Sequence, residues 1–372
     1  MEKVIVGISG GVDSAVAAYL LKQQGYLVEG LFMRNWDSQL NNDFLGNPES
    51  LAEVCPQEKD YQDAKKVCDQ LGITLHRKDF IEEYWDDVFT YFINELKAYR
   101  TPNPDILCNK YIKFDAFLKV AKLLGATHIA TGHYAKYSNG ILYKASDLSK
   151  DQSYFLCQLT KKQLDQTLFP LANLKKTDVR KIANDLNLVV KNKKDSTGIC
   201  FIGERNFTEF LKNYLPSLPG DIVTINNQII GKHNGLMYYT IGQRKGLGIG
   251  SSHLKNGDNR PFFVIGKDIK TNHLIVGPGY DNELLYSTSC TVININYLGI
   301  KTDKKLMAKF RYRQPDQAVS IKWLDQKTAL VTFENEQRAV TPGQACVFYE
   351  KDICLGGGFI DQVFKNDLRC KY

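Results

Sequence analysis

Residues 3–25, KVIVGISGGVDSAVAAYLLKQQG, decide the fold. Residues 3–9 are a short β-branched run, as a buried strand requires, and from Val12 apolar residues recur at helical spacing until Gly25 stops them. Between the two lies Ser9-Gly10-Gly11-Val12-Asp13-Ser14. Two glycines let backbone N–H groups approach an anion closely, a helix N-terminus adds partial positive charge and unpaired donors, and the serines can add hydroxyls. A lone glycine pair would mark only a tight turn with a serine cap. All six residues in a strand–turn–helix setting point to a phosphate site. No GxxxxGK[ST] occurs in the chain, so this is not the common nucleotide-hydrolysing phosphate loop.

Outward from this turn, strands and helices alternate. Residues 27–32 form a second strand candidate, and 37–60, polar and carrying Gly46 and Pro48, reads as a long loop. Helical pattern returns at 61–71, a strand at 73–76, helices near 82–99 and 111–124, and a strand at 127–131 ending at Gly132-His133. Such alternation implies a parallel sheet with helices on both faces, and ligands on such sheets sit at the carboxyl ends of strands, where Gly10 and Gly132 fall. Asn139-Gly140 signals a small hairpin. After about residue 207 short β-like runs separated by turn residues take over, the texture of one or two β-barrels or sandwiches. The expected fold is α/β, a doubly wound parallel-sheet N-terminal domain followed by β-rich central and C-terminal β-barrel domains. The expected boundaries are 1–206, 207–280 and 281–372.

Composition limits the function classes. The 372 residues allow two or three domains, and a 43% hydrophobic content allows a sizeable core. No apolar run approaches the roughly 18 residues of a membrane helix. The apolar stretch before the glycine turn is too short for a signal peptide, so a cytoplasmic protein without a membrane partner is expected. A net charge of +7 suits a polyanionic partner, although a solvated basic surface accounts for it equally well. Nine cysteines, an odd number, argue against a disulfide framework, and the lack of any CxxC pair leaves a metal site without support. Most of the nine are expected to be buried thiols.

Two cysteines stand apart, in Asn103-Pro104-Asp105-Ile106-Leu107-Cys108-Asn109 and in Asp195-Ser196-Thr197-Gly198-Ile199-Cys200-Phe201-Ile202-Gly203. Each lies beside turn formers. A thiol of pKa about 8.5 is only about 3% thiolate at neutral pH, and positive charge or a helix N-terminus raises that fraction. Lys110 and a helix starting near Tyr111 would serve Cys108, and the basic run 191–194 would serve Cys200. Taken singly, either cysteine reads more readily as structural than as catalytic.

SGGVDS at the end of the first strand resembles the pyrophosphate loop of the ATP-pyrophosphatases, of the adenine-nucleotide α-hydrolase type. That resemblance implies cleavage of ATP between the α and β phosphates and transfer of AMP to a carbonyl oxygen, with Mg²⁺ accompanying the triphosphate. SGGVDS, NPDxxCN and DSTGICFIGER occur together with Phe32-Met33-Arg34-Asn35-Trp36, Ala130-Thr131-Gly132-His133-Tyr134, Lys150-Asp151-Gln152-Ser153-Tyr154 and Tyr239-Thr240-Ile241-Gly242-Gln243-Arg244-Lys245-Gly246-Leu247-Gly248. In that order they closely resemble the bacterial tRNA-specific 2-thiouridylases.

The resemblance implies that Gly7, Ile8, Ser9, Gly10, Gly11, Val12, Asp13, Ser14, Met33 and Gly132 bind ATP. Asn103, Pro104 and Asp105 would hold the target uridine, with Asp105 a candidate acid/base. Cys108 would be the nucleophile and Cys200 the persulfide carrier. His133, Lys150, Asp151, Gln152, Arg311, Tyr312 and Gln344 would touch the tRNA. The implied reaction adenylates the C2 oxygen of the wobble uridine, position 34, and replaces it with sulfur. A cysteine desulfurase or sulfur-relay protein would be the donor, and a Cys108–Cys200 disulfide would resolve the cycle.

His133 also suits a core histidine, Met33 plain packing, and Arg311-Tyr312 a solvated strand face. The competing functions are an amidating synthetase of a small metabolite, an ATP-responsive RNA-binding protein, and a sulfurtransferase acting at another tRNA position.

Overall fold

The computed structural model describes residues 1–45, 47, 56–195, 206–249 and 260–371. The chain divides into two units: Met1–Tyr91 with Pro104–Asn213 and Glu350–Gly356, and Phe92–Asn103 with Tyr214–Tyr349 and Gly357–Tyr372.

The first unit is built on β1 (Lys3–Gly7), β2 (Leu27–Arg34), β3 (Leu75–Asp79) and β4 (His128–Ala130). Farther along come the hairpin β5 (Lys136–Ser138) and β6 (Ile141–Tyr143), and then β7 (Thr167–Leu168). The sheet order is β3-β2-β1-β4-β7, with every neighbouring pair parallel. Val4, Val6 and Ile8 of the β1 segment pack with α1 (Val12–Gln23), with Ala64, Val67 and Cys68 of α2 (Pro56–Leu71), and with Val179 and Ala183 of the helix Lys176–Asp185. Alternation along the strand sends Ile5 and Gly7 to the other face. There a Cβ on Gly7 would stand 3.1 Å from Met33 Cε and 3.4 Å from Phe117. Both faces are covered, as the strand–helix alternation requires.

Several expectations shift: α2 begins at Pro56, inside the stretch expected as the 37–60 loop, and β3 covers 75–79 where 73–76 was expected. β2 runs two residues past 32, so Met33 and Arg34 are strand residues paired with Lys78 and Asp79. The helix expected from 111 instead begins at Pro104: Pro104–Leu107 continues as a π-bonded stretch, Cys108–Ala116, and then as Phe117–Leu123. Proline suits a first helical position, where its missing N–H has no intrahelical role. The Asn139-Gly140 hairpin is present, with φ of 52° and 76°, the left-handed pair that a two-residue turn demands.

The second unit is β-rich. A four-stranded sheet joins β8 (Gly220–Thr224), β9 (Ile229–His233), β10 (Phe262–Asp268) and β11 (His273–Pro278). After it come β12 (Tyr286–Tyr297), β13 (Lys304–Lys309), β14 (Gln317–Trp323), β15 (Ala329–Arg338), β16 (Ala345–Glu350) and β17 (Ile353–Lys365). These pair in the order β12-β15-β14-β13-β16-β17, and β17 pairs back with β12 to close a six-stranded barrel. Alternation in β15, with Ala329, Val331 and Phe333 buried, fills the interior.

Candidate functional site

The phosphate turn is held by its own serines. Ser14 Oγ accepts from the Ser9 amide at 3.2 Å and donates to the Gly11 carbonyl at 3.1 Å, and the two hydroxyls lie 3.3 Å apart. The first-turn amides of α1 have no intrahelical carbonyl to bind and remain available to an anion. Gly10 takes φ +70°, and a Cβ there would stand 2.3 Å from the Asp60 carbonyl oxygen. Gly132, at the end of β4, is glycine for a different reason. A Cβ there would stand 2.8 Å from the Ser14 amide nitrogen, so the two turns approach backbone to backbone. The structure thus brings Gly132 onto the phosphate turn, and Met33 lies beside Gly7.

Asp13 is the charged member of the turn. It accepts from Tyr134 Oη at 2.8 Å and binds Lys176 Nζ at 2.7 and 2.8 Å. Burial first, then the Asp13 carboxylate, pushes the Tyr134 phenol well above its ordinary value, so it stays a donor. Lys176 also reaches Asp195, which further pairs with Lys150 and Arg180, each at 2.8 Å. Burial alone would raise the Asp195 carboxyl, but hydrogen bonds and charge from Lys150 and Lys176 hold it well below the usual carboxylate range. Sequence reasoning missed this network. Lys176 sits among many lysines, and only an acidic residue inside a phosphate turn hints that a cation must balance it.

Three residues expected to touch RNA have internal roles. His133 is 8% exposed, its Nδ1 is 2.8 Å from Thr131 Oγ1, and its ring lies 5.5 Å from that of Phe114. Burial, with Lys113 adding, holds the imidazole well below its ordinary pKa and therefore neutral. Asp151 is 4% exposed, and its oxygens accept from the Ala145 and Ser153 amides and the Ser153 hydroxyl. Gln152 clasps Tyr134 twice: its amide donates to the Tyr134 carbonyl and its Oε1 accepts from the Tyr134 amide. Gln152 thus braces the Gly132–Tyr134 turn, His133 closes onto Thr131 just ahead of it, and Asp151 ties Ala145 to Ser153. Lys150 is half-buried and faces Asp195.

Cys108 is fully buried at the point where π bonding begins, not ahead of a helix N-terminus as expected. The physical reason is Pro104, which starts the helix a turn earlier. π segments carry a register slip that helices tolerate mostly at functional positions. Next to it, Asn109 Nδ2 donates to the Phe155 carbonyl, while its buried Oδ1 has no partner among the described residues. Lys110 turns to Gln158 Oε1 at 3.2 Å, and its charge acts on Cys157. In the basic run before Cys200, Lys193 is paired with Asp60 and Asp63, at 2.7 Å each. Cys200 itself lies outside the described residues, as do Cys55 and part of the 37–60 loop. Among the described residues no cluster of three His, Cys, Asp or Glu is placed to hold a metal, and no helix is long and apolar enough to cross a membrane.

In the second unit, Arg311 Nη2 donates to the carbonyls of Ala339 at 2.8 Å and Ile241 at 3.4 Å, with Tyr312 as its half-buried neighbour. Gln344 Nε2 donates to the Thr101 carbonyl at 2.7 Å.

A doubly wound parallel sheet with a serine-braced glycine turn after its first strand, carried in one chain with a β-barrel, defines a protein of the pyrophosphate-loop class. Residues 2–204 match the family model described as the tRNA methyl transferase HUP domain. Residues 208–278 match its PRC-barrel domain, and 287–360 the aminomethyltransferase beta-barrel domain. The tRNA-specific 2-thiouridylase MnmA of Mycoplasma capricolum is 58% identical, covering 98% of this chain and all of that protein. The protein of the same name from Acholeplasma laidlawii is 54% identical over 98% of each chain. That from Lysinibacillus sphaericus is 50% identical, over 100% of this chain and 97% of the relative. The chain belongs to the tRNA-specific 2-thiouridylase family.

Proposed function

We propose that this protein is an ATP-dependent tRNA-uridine 2-sulfurtransferase. The observation that carries the reading is the phosphate turn, closed by Gly132 and continuous in one unit with the Cys108 helix, in a chain half or more identical to named 2-thiouridylases.

In this reading residues Gly7 to Ser14 form the ATP site, with the first-turn amides of α1 on the phosphates, Met33 and Gly132 flank the nucleotide, and Mg²⁺ would accompany the triphosphate. Asn103, Pro104 and Asp105 hold the wobble uridine, position 34. Its C2 oxygen attacks the α-phosphate and pyrophosphate leaves. The terminal sulfur of a Cys200 persulfide then attacks C2 and AMP departs. Cys108 attacks the Cys200 sulfur, which frees 2-thiouridine and leaves a Cys108–Cys200 disulfide for an external thiol to reduce. Asp105 is the acid/base for these transfers. Lys150, Arg311, Tyr312 and Gln344 meet the tRNA, whereas His133 and Gln152 brace the turn beside the nucleotide and Asp151 holds Ala145 to Ser153. The sulfur donor is a cysteine desulfurase or relay protein, the setting is the cytoplasm, and the working division is 1–206, 207–280 and 281–372.

The amidating synthetase reading gives the two cysteine motifs no task. The test is direct. The protein is incubated with ATP, a persulfide donor and undermodified tRNA, and the nucleosides are read by mass spectrometry. Formation of 2-thiouridine with AMP release is the expected result; AMP release with small acids but not with tRNA would replace this reading.

A further inference from the structure

The residues just ahead of Asn103-Pro104-Asp105 form a strap, Tyr99 to Thr101, bonded along its length within the second unit. The helix Thr90–Lys97 ends with the Tyr99 amide on the Leu96 carbonyl and the Arg100 amide on the Glu95 carbonyl. Tyr99 occupies the left-handed position at φ 60°, where glycine or asparagine is usual and a bulky residue is strained. Lys267 holds it there. The residue is 5% exposed and its Nζ donates to the Tyr99 carbonyl at 2.8 Å. Arg100 follows, with Nη1 2.7 Å from Asp361 Oδ1 and Nη2 2.8 Å from the Ile360 carbonyl. Thr101 donates its amide to the Pro342 carbonyl at 2.9 Å. After the strap comes Pro102, whose φ is fixed, and then Asn103, the last residue of this segment of the second unit.

A lysine buried to this degree is costly unless it makes a hydrogen-bonded contact. Here that contact goes to the single strained residue of the strap. We propose that Lys267 and Asp361 are positioning residues for Asn103, the first residue of the uridine-holding loop: by fixing the strap Tyr99–Thr101 within the second unit they set where Asn103 departs, without touching the substrate. The proposal rests on the reading of residues 103–105 as the uridine loop.

Full-length Lys267→Met, Asp361→Ala and Asp105→Ala proteins are compared with the wild type for kcat of tRNA thiolation, tRNA Kd and ATP Kd. A loop displaced by a fraction of an ångström loses turnover more than affinity, so kcat falls about tenfold or more in both strap variants while both Kd values stay within about twofold. Unchanged kcat in the strap variants overturns the proposal, as does a loss of tRNA affinity as large as the loss in kcat. Should Lys267→Met fail to fold, Asp361→Ala, at a part-exposed carboxylate, decides alone. Full activity in Asp105→Ala sinks instead the reading of the loop, whatever the strap variants do.

Discussion

Lys176 Nζ lies 2.8 Å from Asp195 Oδ1 and 2.7 Å from Asp13 Oδ1, so one ammonium ties the phosphate turn to the residue at which the Cys200 segment begins. The lysine side chain is only 14% exposed, which sets this cluster apart from the chain's solvated ion pairs. Arg180 strengthens the Asp195 end and donates as well to the carbonyls of Lys191 and Lys193, fixing the basic run that leads there.

Removing that ammonium leaves two carboxylates close together without their shared counter-ion. Lys176→Met is expected to lower the melting temperature and to cut kcat/KM for thiolation about tenfold or more, with Lys176→Arg recovering part of both. Differential scanning fluorimetry and a single-turnover assay check it. Wild-type turnover in Lys176→Met would show that the bridge is incidental.

The buried thiols give a second test. Burial, with Asp69 adding, pushes the Cys68 thiol up to about 12. Burial likewise lifts Cys157, with Cys354 beside it, and Cys290 well above the ordinary range. Only thiolates alkylate quickly. Iodoacetamide on the native protein is therefore expected to spare Cys68, Cys157 and Cys290 and to label them only after denaturation, as peptide mass spectrometry would reveal. A persulfide carrier at Cys200 should label first. Native labelling of Cys157 at the Cys200 rate would contradict the burial argument.

Much of this was legible in the chain. The run from Lys3 to Gly25 carries its strand, turn and helix in period and punctuation, and Asn139-Gly140 carries its hairpin, because both are local. What misled was Pro104: the segment around Cys108 reads as turn formers followed by a helix, yet proline at a first helical position starts the helix early and draws the cysteine into the core. The Asp13–Lys176–Asp195 cluster was invisible for another reason. Its members lie far apart in sequence, and no local pattern distinguishes a lysine that neutralises a phosphate turn from a solvated one. The strap at Tyr99 is likewise a tertiary feature, held by Lys267 and Asp361 from far along the sequence.

The close approach of Gly132 to Ser14 yields a third prediction. In Gly132→Ala the new methyl would meet backbone at 2.8 Å, and neither turn can yield without moving the phosphate amides. ATP affinity, measured by calorimetry, is expected to weaken about tenfold or more while tRNA affinity is kept. Intact ATP binding would mean that the two turns separate freely and that Gly132 has no part in the nucleotide site.

The buried Lys267 makes stability depend on pH in a definite direction. Burial lowers its pKa from 10.5 to about 7, whereas an unfolded lysine keeps the ordinary value. Above about pH 7 the folded chain has released this proton and the unfolded chain has not, so the unfolded state binds more protons and stability rises with pH. Below that both forms are charged and the contribution is flat. From about pH 8.5 the buried thiols pull the other way, because their folded pKa values are raised and the unfolded chain loses protons first. The clean window is therefore about pH 7 to 8. There the wild type is expected to gain stability with pH relative to Lys267→Met, in paired denaturant titrations at each pH. A difference between the two proteins that stays flat or falls across that window would mean that Lys267 remains protonated in the fold, and that the Tyr99 carbonyl binds a full cation.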